Sequence, residues 1–267
     1  MSTVAVIGCG PAGLFAAKAV EDLGHSVTIT SEKKRSEFYG AQYLHRPIPG
    51  FSSQAPDGEI RTIRVGSAAG YADRVYQDRT RVTSWSKAHS EPVPAWDLRK
   101  TYDAAWEHFE QQIVGFSMGV EDLEEYDRQF DLVINTAPLW RFCISSQHTF
   151  QSKTIFVAPV VMSMVSDRNY VIYNGLEKNG DNDTWYRSSQ IFGHASTEFG
   201  TPLNKEAEPL RHITNWDLGF KIVGSNCDCH PNVVRAGRMG TWTPGVLTHH
   251  AYETAVSACT DRFPTTV

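Results

Sequence analysis

The sequence predicts an α/β fold in which a parallel nucleotide-binding sheet is interrupted by an inserted antiparallel β-sheet. Three features carry that prediction. An apolar strand runs into G-x-G-x-x-G at the start of the chain, a strand, glycine turn and helix close it, and β-rich alternating sequence fills about 150–225 between them. The chain of 267 residues is long enough to bury a substantial core.

Val4-Ala5-Val6-Ile7 has the pattern of a buried parallel strand, and Leu14 to Val20 follows at helical spacing. Between them lies the turn Gly8-Cys9-Gly10-Pro11-Ala12-Gly13. Gly8 permits the tight turn, Gly10 lets backbone N–H groups approach a pyrophosphate, and Gly13 lets the helix pack close to the strand. The helix N-terminus then offers unpaired N–H groups and the positive end of its dipole to phosphate. A bound dinucleotide is the expectation.

Gly24-His25 turns the chain into a second strand, Ser26 to Thr30, whose end should carry a carboxylate for the adenosine ribose. The usual spacing puts Ser31 in that slot and Glu32 one residue later. Either Glu32 is the displaced ribose ligand, or Ser31, Lys33, Lys34 and Arg35 accept the 2′-phosphate of NADPH.

At the far end, Asn232 to Gly240 forms a strand and glycine-rich turn, and Thr241-Trp242-Thr243-Pro244-Gly245-Val246 leads into a helix over Leu247–Cys259. Phe130-Asp131-Leu132-Val133-Ile134-Asn135-Thr136-Ala137-Pro138 resembles the "D-x-V-I-x-T-x-P" strand of two-dinucleotide-fold flavoproteins, and Gly237 to Trp242 resembles the "GR-x-G-x-aromatic" turn of the mutases among them. With the first fifty residues, these segments resemble the FAD-binding superfamily that contains amine oxidases, protoporphyrinogen oxidase and UDP-galactopyranose mutase. The resemblance implies a Rossmann-like FAD-binding fold and FAD as cofactor. It implies contacts to FAD from Gly8, Gly10, Pro11, Ala12, Gly13, Ser31, Glu32 and Lys33. It extends them to Gln42, Tyr43, Ala137, Gly237, Arg238, Trp242, Thr243, Gly245 and Val246.

The expected organisation is a first FAD-binding part over 1–150, a substrate-binding antiparallel sheet over 151–225, and a return strand and helix over 226–267. Leu98, Tyr102, Ala105, Phe109 and Ile113 recur at helical spacing within Trp96–Val114, which predicts an amphipathic helix. Arg81-Val82-Thr83 is a candidate short strand, Thr154 to Tyr173 is rich in β-formers, and Trp185 to Phe192 alternates as a strand after a turn over Gly175–Thr184.

Candidate catalytic groups follow from this layout. The loop Tyr39 to Gly50 places His45 as an acid/base and Arg46 as an anion ligand where related flavoproteins line the flavin. Tyr186 and Arg187 begin a strand of the roofing sheet. His249 and His250 open the terminal helix, where the dipole disfavours a protonated imidazole and one ring is expected to face the cofactor.

The net charge of −5 gives no general attraction to nucleic acid. No apolar run reaches membrane-spanning length, and the first strand starts within three residues of Met1, so the expected location is cytoplasmic. Five cysteines, an odd number, show no disulfide-scaffold spacing. Cys227-Asp228-Cys229-His230 is tight for a zinc knuckle, and no second Cys/His pair stands at a matching spacing, so no metal is expected.

A single G-x-G-x-x-G leaves no second Rossmann unit for NAD(P)H. The expectation is therefore an amine oxidase-like, FAD-dependent oxidoreductase that oxidises a C–N bond of a small or nucleotide-linked amine. A mutase without net redox and a non-catalytic flavin or NADPH binder stand as alternatives.

Overall fold

The computed structural model describes residues 1–81, 91–161, 169–176, 185–200 and 216–264. Strand β1 (Thr3–Ile7) enters α1 (Pro11–Asp22) through the glycine turn, with Gly10 as an extended N-cap and Pro11 at the first helical position. The fixed φ of proline suits that position, and its missing N–H costs nothing there. Leu14, Phe15, Ala16, Ala17, Ala19 and Val20 are all fully buried. The helix is apolar over most of its surface because it lies between the sheet, α3 (Leu98–Phe109) and α6 (His250–Arg262).

β1 is central in a five-stranded sheet. It pairs in parallel with β2 (Ser26–Ser31) and β6 (Leu132–Asn135), and β5 (Ile113–Gly115) and β12 (Val234–Arg235) extend the two edges. The carboxyl ends of β1, β2 and β6 therefore open on one side, where ligands bind in open parallel sheets.

The helix expected over Trp96–Val114 is shorter. It is capped by the Asp97 carboxylate on the Arg99 N–H at 2.9 Å and ends at Phe109. A 3-10 turn over Glu110–Gln112 follows, and Ile113 opens β5 by pairing with Ile29. Ile113 fits a helical stripe and a buried strand equally well, so the vacant edge of β2 decides its use.

The second sheet has seven strands: β11 (Asp217–Ser225), β7 (Phe150–Ala158), β10 (His194–Phe199), β9 (Trp185–Ile191), β8 (Tyr170–Gly175), β3 (Gly58–Gly66) and β4 (Val93–Ala95), in that spatial order. It is mixed rather than purely antiparallel, because β3 pairs with β8 in parallel. It also draws β3 and β4 from outside 151–225, so the sheet is assembled from two stretches of the chain. Phe192 and Gly193, both at positive φ, make the two-residue turn of the β9–β10 hairpin. α2 (Ala68–Tyr76), N-capped by Ser67, packs against this sheet.

α6 starts at His250 rather than Leu247, and a short helix α5 (Gly237–Thr241) follows β12. Val82 and Thr83 of the expected strand, residues 162–168 of the β-rich run and residues 177–184 of the expected turn lie outside the described residues. Among the described residues no helix is long and apolar enough to cross a membrane.

Candidate active site

The Gly8–Gly13 turn is shaped by close backbone packing. A Cβ on Gly13 would lie 1.9 Å from the Gly8 carbonyl oxygen, so only glycine fits where α1 crosses the turn. The terminal turn closes on the same place: Gly237, at φ +69°, would bring a Cβ to 2.6 Å from the Ala12 Cβ. Thus α5 rests on the first residues of α1. The Tyr102 hydroxyl braces the turn from α3, donating to the Cys9 carbonyl and accepting from the Ser36 N–H, both at 3.0 Å. Thr136 Oγ1 donates to the Ile7 carbonyl at 2.7 Å, and the Ala137 N–H donates to Asn135 Oδ1 at 3.0 Å.

Ser31 ends β2 and pairs with Gly115. Glu32, immediately beyond, accepts from Ser117 Oγ at 2.9 Å and pairs with Arg141 at 3.2 Å. Those two partners hold its carboxyl below the usual carboxylate range. Lys33 takes the left-handed backbone region at φ +53°. Both ribose candidates accordingly stand at the strand end, with Glu32 already fixed by an arginine.

Two segments far apart in sequence meet on the other side of the turn. The His45 ring lies 4.5 Å from the Tyr43 ring and 6.0 Å from that of His249, and Arg46 pairs with Glu253 at 2.9 Å. The Arg46 and Glu253 side chains are 72% and 45% exposed, so the expected anion ligand is engaged in a surface ion pair instead. His249 is buried, and its Nδ1 has no hydrogen-bond partner among the described residues. Burial, helped by the charge of His250, pushes the His249 imidazole down to about 4. Desolvation and the neighbouring His250 also lower His45, although its side chain is exposed. His250 Nδ1 accepts from the Leu247 N–H at 3.2 Å.

The mixed sheet contributes a buried charge cluster. Arg187 donates from Nε to Glu198 Oε1 at 3.0 Å and again from Nη2, while Lys221 Nζ lies 2.8 Å from Oε2. Burial alone would raise the Glu198 carboxyl, but Arg187 and Lys221 pull it down to about 2. Burial likewise opposes a charged Arg187, and the adjacent Glu198 more than offsets it and raises its pKa. Arg187 lies over the Tyr173 ring at 5.9 Å, and Tyr71 meets Tyr173 edge-on at 5.4 Å. A Cβ on Gly40 would stand 2.9 Å from Glu198 Oε1, so the Tyr39–Tyr43 loop lies directly on this cluster. Tyr43 is half-buried and its hydroxyl is pushed up to about 12, mainly by burial. Desolvation and the charge of Arg187 lower Arg238, which is exposed but lies within reach of the Glu198 charge as well.

Tyr186 belongs elsewhere. A bulge opposes Glu198 to Arg187 and Phe199 to Trp185, leaving Tyr186 between them. Its ring is buried with Tyr71, Val75, Ile155 and Val157, under the Lys153 ammonium at 5.4 Å. The expected catalytic tyrosine is a core residue. Trp242 is also buried, stacked on Phe220 at 5.7 Å and edge-on to Phe150 at 5.9 Å, with its indole N–H unpartnered among the described residues. Gln42 donates to the Tyr39 carbonyl at 2.6 Å, Thr243 to that of Thr241 at 3.1 Å, and Arg238 to that of Val246 at 3.2 Å. Gly245 stands at φ +78° with open space around it. An open cleft of about 410 Å³ beside this turn is lined by Gly237, Thr241, Val246, His250 and Glu253.

The fold adds to the cysteine reading: Cys143 and His148, distant in sequence, lie beside Cys227 and Cys229. His230 is turned away and bonds to the Phe142 carbonyl at 2.8 Å. Sequence spacing missed the pair because the two halves lie on different loops. It also missed Glu198, Lys221, Tyr71 and Tyr173, which carry no local motif and become neighbours only through strand pairing.

The architecture has counterparts among solved structures. It is similar to the crystal structure of reduced UDP-galactopyranose mutase, with a TM-score of 0.57 at 11% identity over 97% of this chain and 95% of that one. It is similar also to p-nitrophenol 4-monooxygenase PnpA from Pseudomonas putida DLL-E4, with a TM-score of 0.55 at 13% identity over 100% and 82% of the two chains. A single-substitution variant of Klebsiella pneumoniae HpxO complexed with FAD gives 0.52 at 13% identity over 99% and 82%. No family model and no curated protein sequence matches the chain. The chain thus shares with these structures a Rossmann-like α/β fold, with its parallel sheet and a separate mixed sheet.

Proposed function

We propose that the chain is a FAD-dependent oxidoreductase that takes hydride from a C–N bond of an amine carried on an anionic molecule. The observation that carries this reading is the junction of Gly237 with Ala12, which joins the terminal turn to the bare N-terminus of α1. It supports one extended dinucleotide running from the Gly8–Gly13 turn to the Gly237–Val246 turn. The residues fit FAD. The glycine cradle has no room for side chains at Gly8 and Gly13, and the buried Trp242 Nε1 and His249 Nδ1 have no protein partner among the described residues.

FAD supplies the hydride acceptor when bound. The protein supplies proton acceptance and substrate orientation. An amine donates hydride only after losing its ammonium proton, and the His45 imidazole is the group assigned to take it, His249 being too weakly basic for that role. Arg187, Lys221 and Arg238 outnumber the Glu198 carboxylate that they surround, which favours a carboxylate or phosphate on the substrate. Tyr43, Tyr71 and Tyr173 wall this cluster and limit water.

The test begins with colour. Purified protein should be yellow and release FAD on heating, and anionic amines should bleach it anaerobically. A colourless protein that binds NADPH would overturn the reading and assign the 2′-phosphate to Ser31, Lys33, Lys34 and Arg35. The extent of the likeness to reduced UDP-galactopyranose mutase favours a second reading, a nucleotide-sugar mutase. Turnover of UDP-sugars only after flavin reduction, without net redox, would select it.

A further inference from the structure

We infer that Cys143, His148, Cys227 and Cys229 form a closed, tetrahedral zinc site that clasps the loop after β6 to the loop before β12. The inference is independent of the flavin reading. His148 Nδ1 lies 3.3 Å from Cys143 Sγ and 3.4 Å from Cys229 Sγ, and the two sulfurs are 4.0 Å apart. All four donor atoms, Cys227 Sγ included, fall within 4.8 Å of one another. Around tetrahedral zinc, bonds of ~2.3 Å to sulfur and ~2.0 Å to nitrogen place sulfurs about 3.8 Å apart, and sulfur and nitrogen about 3.5 Å apart. The observed spacings match that cage.

The surroundings match as well. His148 turns Nδ1 to the sulfurs while its Nε2 lies 3.2 Å from the Asp228 carboxylate, the outer partner that fixes tautomer and ring orientation in metal-bound histidine. The N–H groups of Ile144 and Ser145 donate to the Cys229 sulfur, and that of Cys229 to the Cys227 sulfur. Such donors stabilise sulfur when it carries negative charge. Arg235 holds the loop by donating to the Cys227 carbonyl at 2.6 Å and to the Cys229 carbonyl. Three thiolates and an imidazole are the donors zinc favours, and four protein ligands leave no open position for substrate. The site is therefore structural. It lies against Leu139, Phe150, Ile222 and Trp242, so it stiffens the support of the terminal turn.

The experiment uses the full chain, purified under reducing conditions and dialysed against metal-free buffer. Elemental analysis should find about one zinc per chain, and replacement with Co2+ should give the intense visible bands of tetrahedral thiolate coordination. Cys143→Ser and Cys229→Ser should each lose most of the metal, whereas His148→Cys, Cys9→Ser and His230→Ala should keep it. Far-ultraviolet circular dichroism distinguishes loss of metal from loss of fold. The inference is overturned if folded, reduced protein takes up no Co2+ with thiolate bands. It is equally overturned if folded Cys143→Ser retains full zinc, or if Cys143 and Cys229 are found as a disulfide that forms in place of metal uptake.

Discussion

Arg187 and Glu198 face each other across the β9–β10 hairpin, and the Glu198 carboxylate is held between that guanidinium and the Lys221 ammonium. Glu198 is 2% exposed, so its charge is retained only because both cations are present. Glu198→Gln would leave two buried cations without their counter-ion. Chemical denaturation should show a loss of about 3–5 kcal/mol, the usual cost of breaking a buried ion pair from one side.

The same carboxylate sets an acid limit. Its folded pKa of about 2 lies below the ordinary value of 4.5, so its contribution is complete above 4.5 and is lost as the pH falls toward 2. Stability measured against pH should decline through that window in the wild type. The part of the slope due to this group should vanish in Glu198→Gln, and an unchanged slope would assign the acid transition to another carboxylate.

His249 sets a second, milder window. It is buried neutral, with a folded pKa of about 4 against 6.5 unfolded. The unfolded chain therefore binds the extra proton first as the pH falls, and stability is lost between 6.5 and 4. His249→Asn should flatten the thermal-unfolding profile over that range. An NMR titration showing the His249 ring protonating near 6.5 would contradict the burial argument.

His45→Ala should retain bound FAD and slow flavin reduction by substrate, because the ring neighbours Tyr43 and His249 rather than the phosphate turn. A defect in kcat, with the flavin spectrum unchanged, is the expected pattern. Arg46→Ala should be nearly neutral, since it removes an exposed pair with Glu253 worth less than about 1 kcal/mol. Equal rates for His45→Ala and wild type would remove His45 from proton transfer.

Cofactor occupancy should respond to two backbone positions and one carboxylate. Gly10→Val should abolish flavin colour by crowding the phosphate approach, where a Cβ already stands 3.2 Å from Ser36 Oγ. Glu32→Ala should weaken FAD by about tenfold if its carboxylate holds the ribose, and Ser31→Ala by less. Gly237→Ala should impair folding and occupancy together, because its Cβ would strike Ala12. Equilibrium dialysis with FAD measures all of these, and unaltered affinity in Glu32→Ala would move the ribose ligand to another residue.

The sequence by itself determined what depends on local chemistry. The glycine spacing after Val4–Ile7 dictates a tight strand-to-helix turn, and the run from Leu14 to Val20 dictates a helix buried on most sides. Alternation located β9, richness in β-formers marked the stretch that holds β7 and β8 without dividing it, and the terminal strand, turn and helix were legible from residue types alone. Tertiary structure decided everything that depends on which segments become neighbours. Ile113 became a strand residue because β2 had a free edge, and β3 joined the second sheet through long-range pairing with β8. A bulge beside Tyr186 accompanied its burial in the core, while Arg187 met Glu198 through the pairing of β9 with β10, which no local spacing contains. Cys143 and His148 reached Cys227 and Cys229 only because β6 and β12 are adjacent in the parallel sheet, which brings their flanking loops together. Periodicity and spacing encode contacts within a few residues. Contacts between distant segments arise from burying whole faces, and no single stretch of sequence contains both partners.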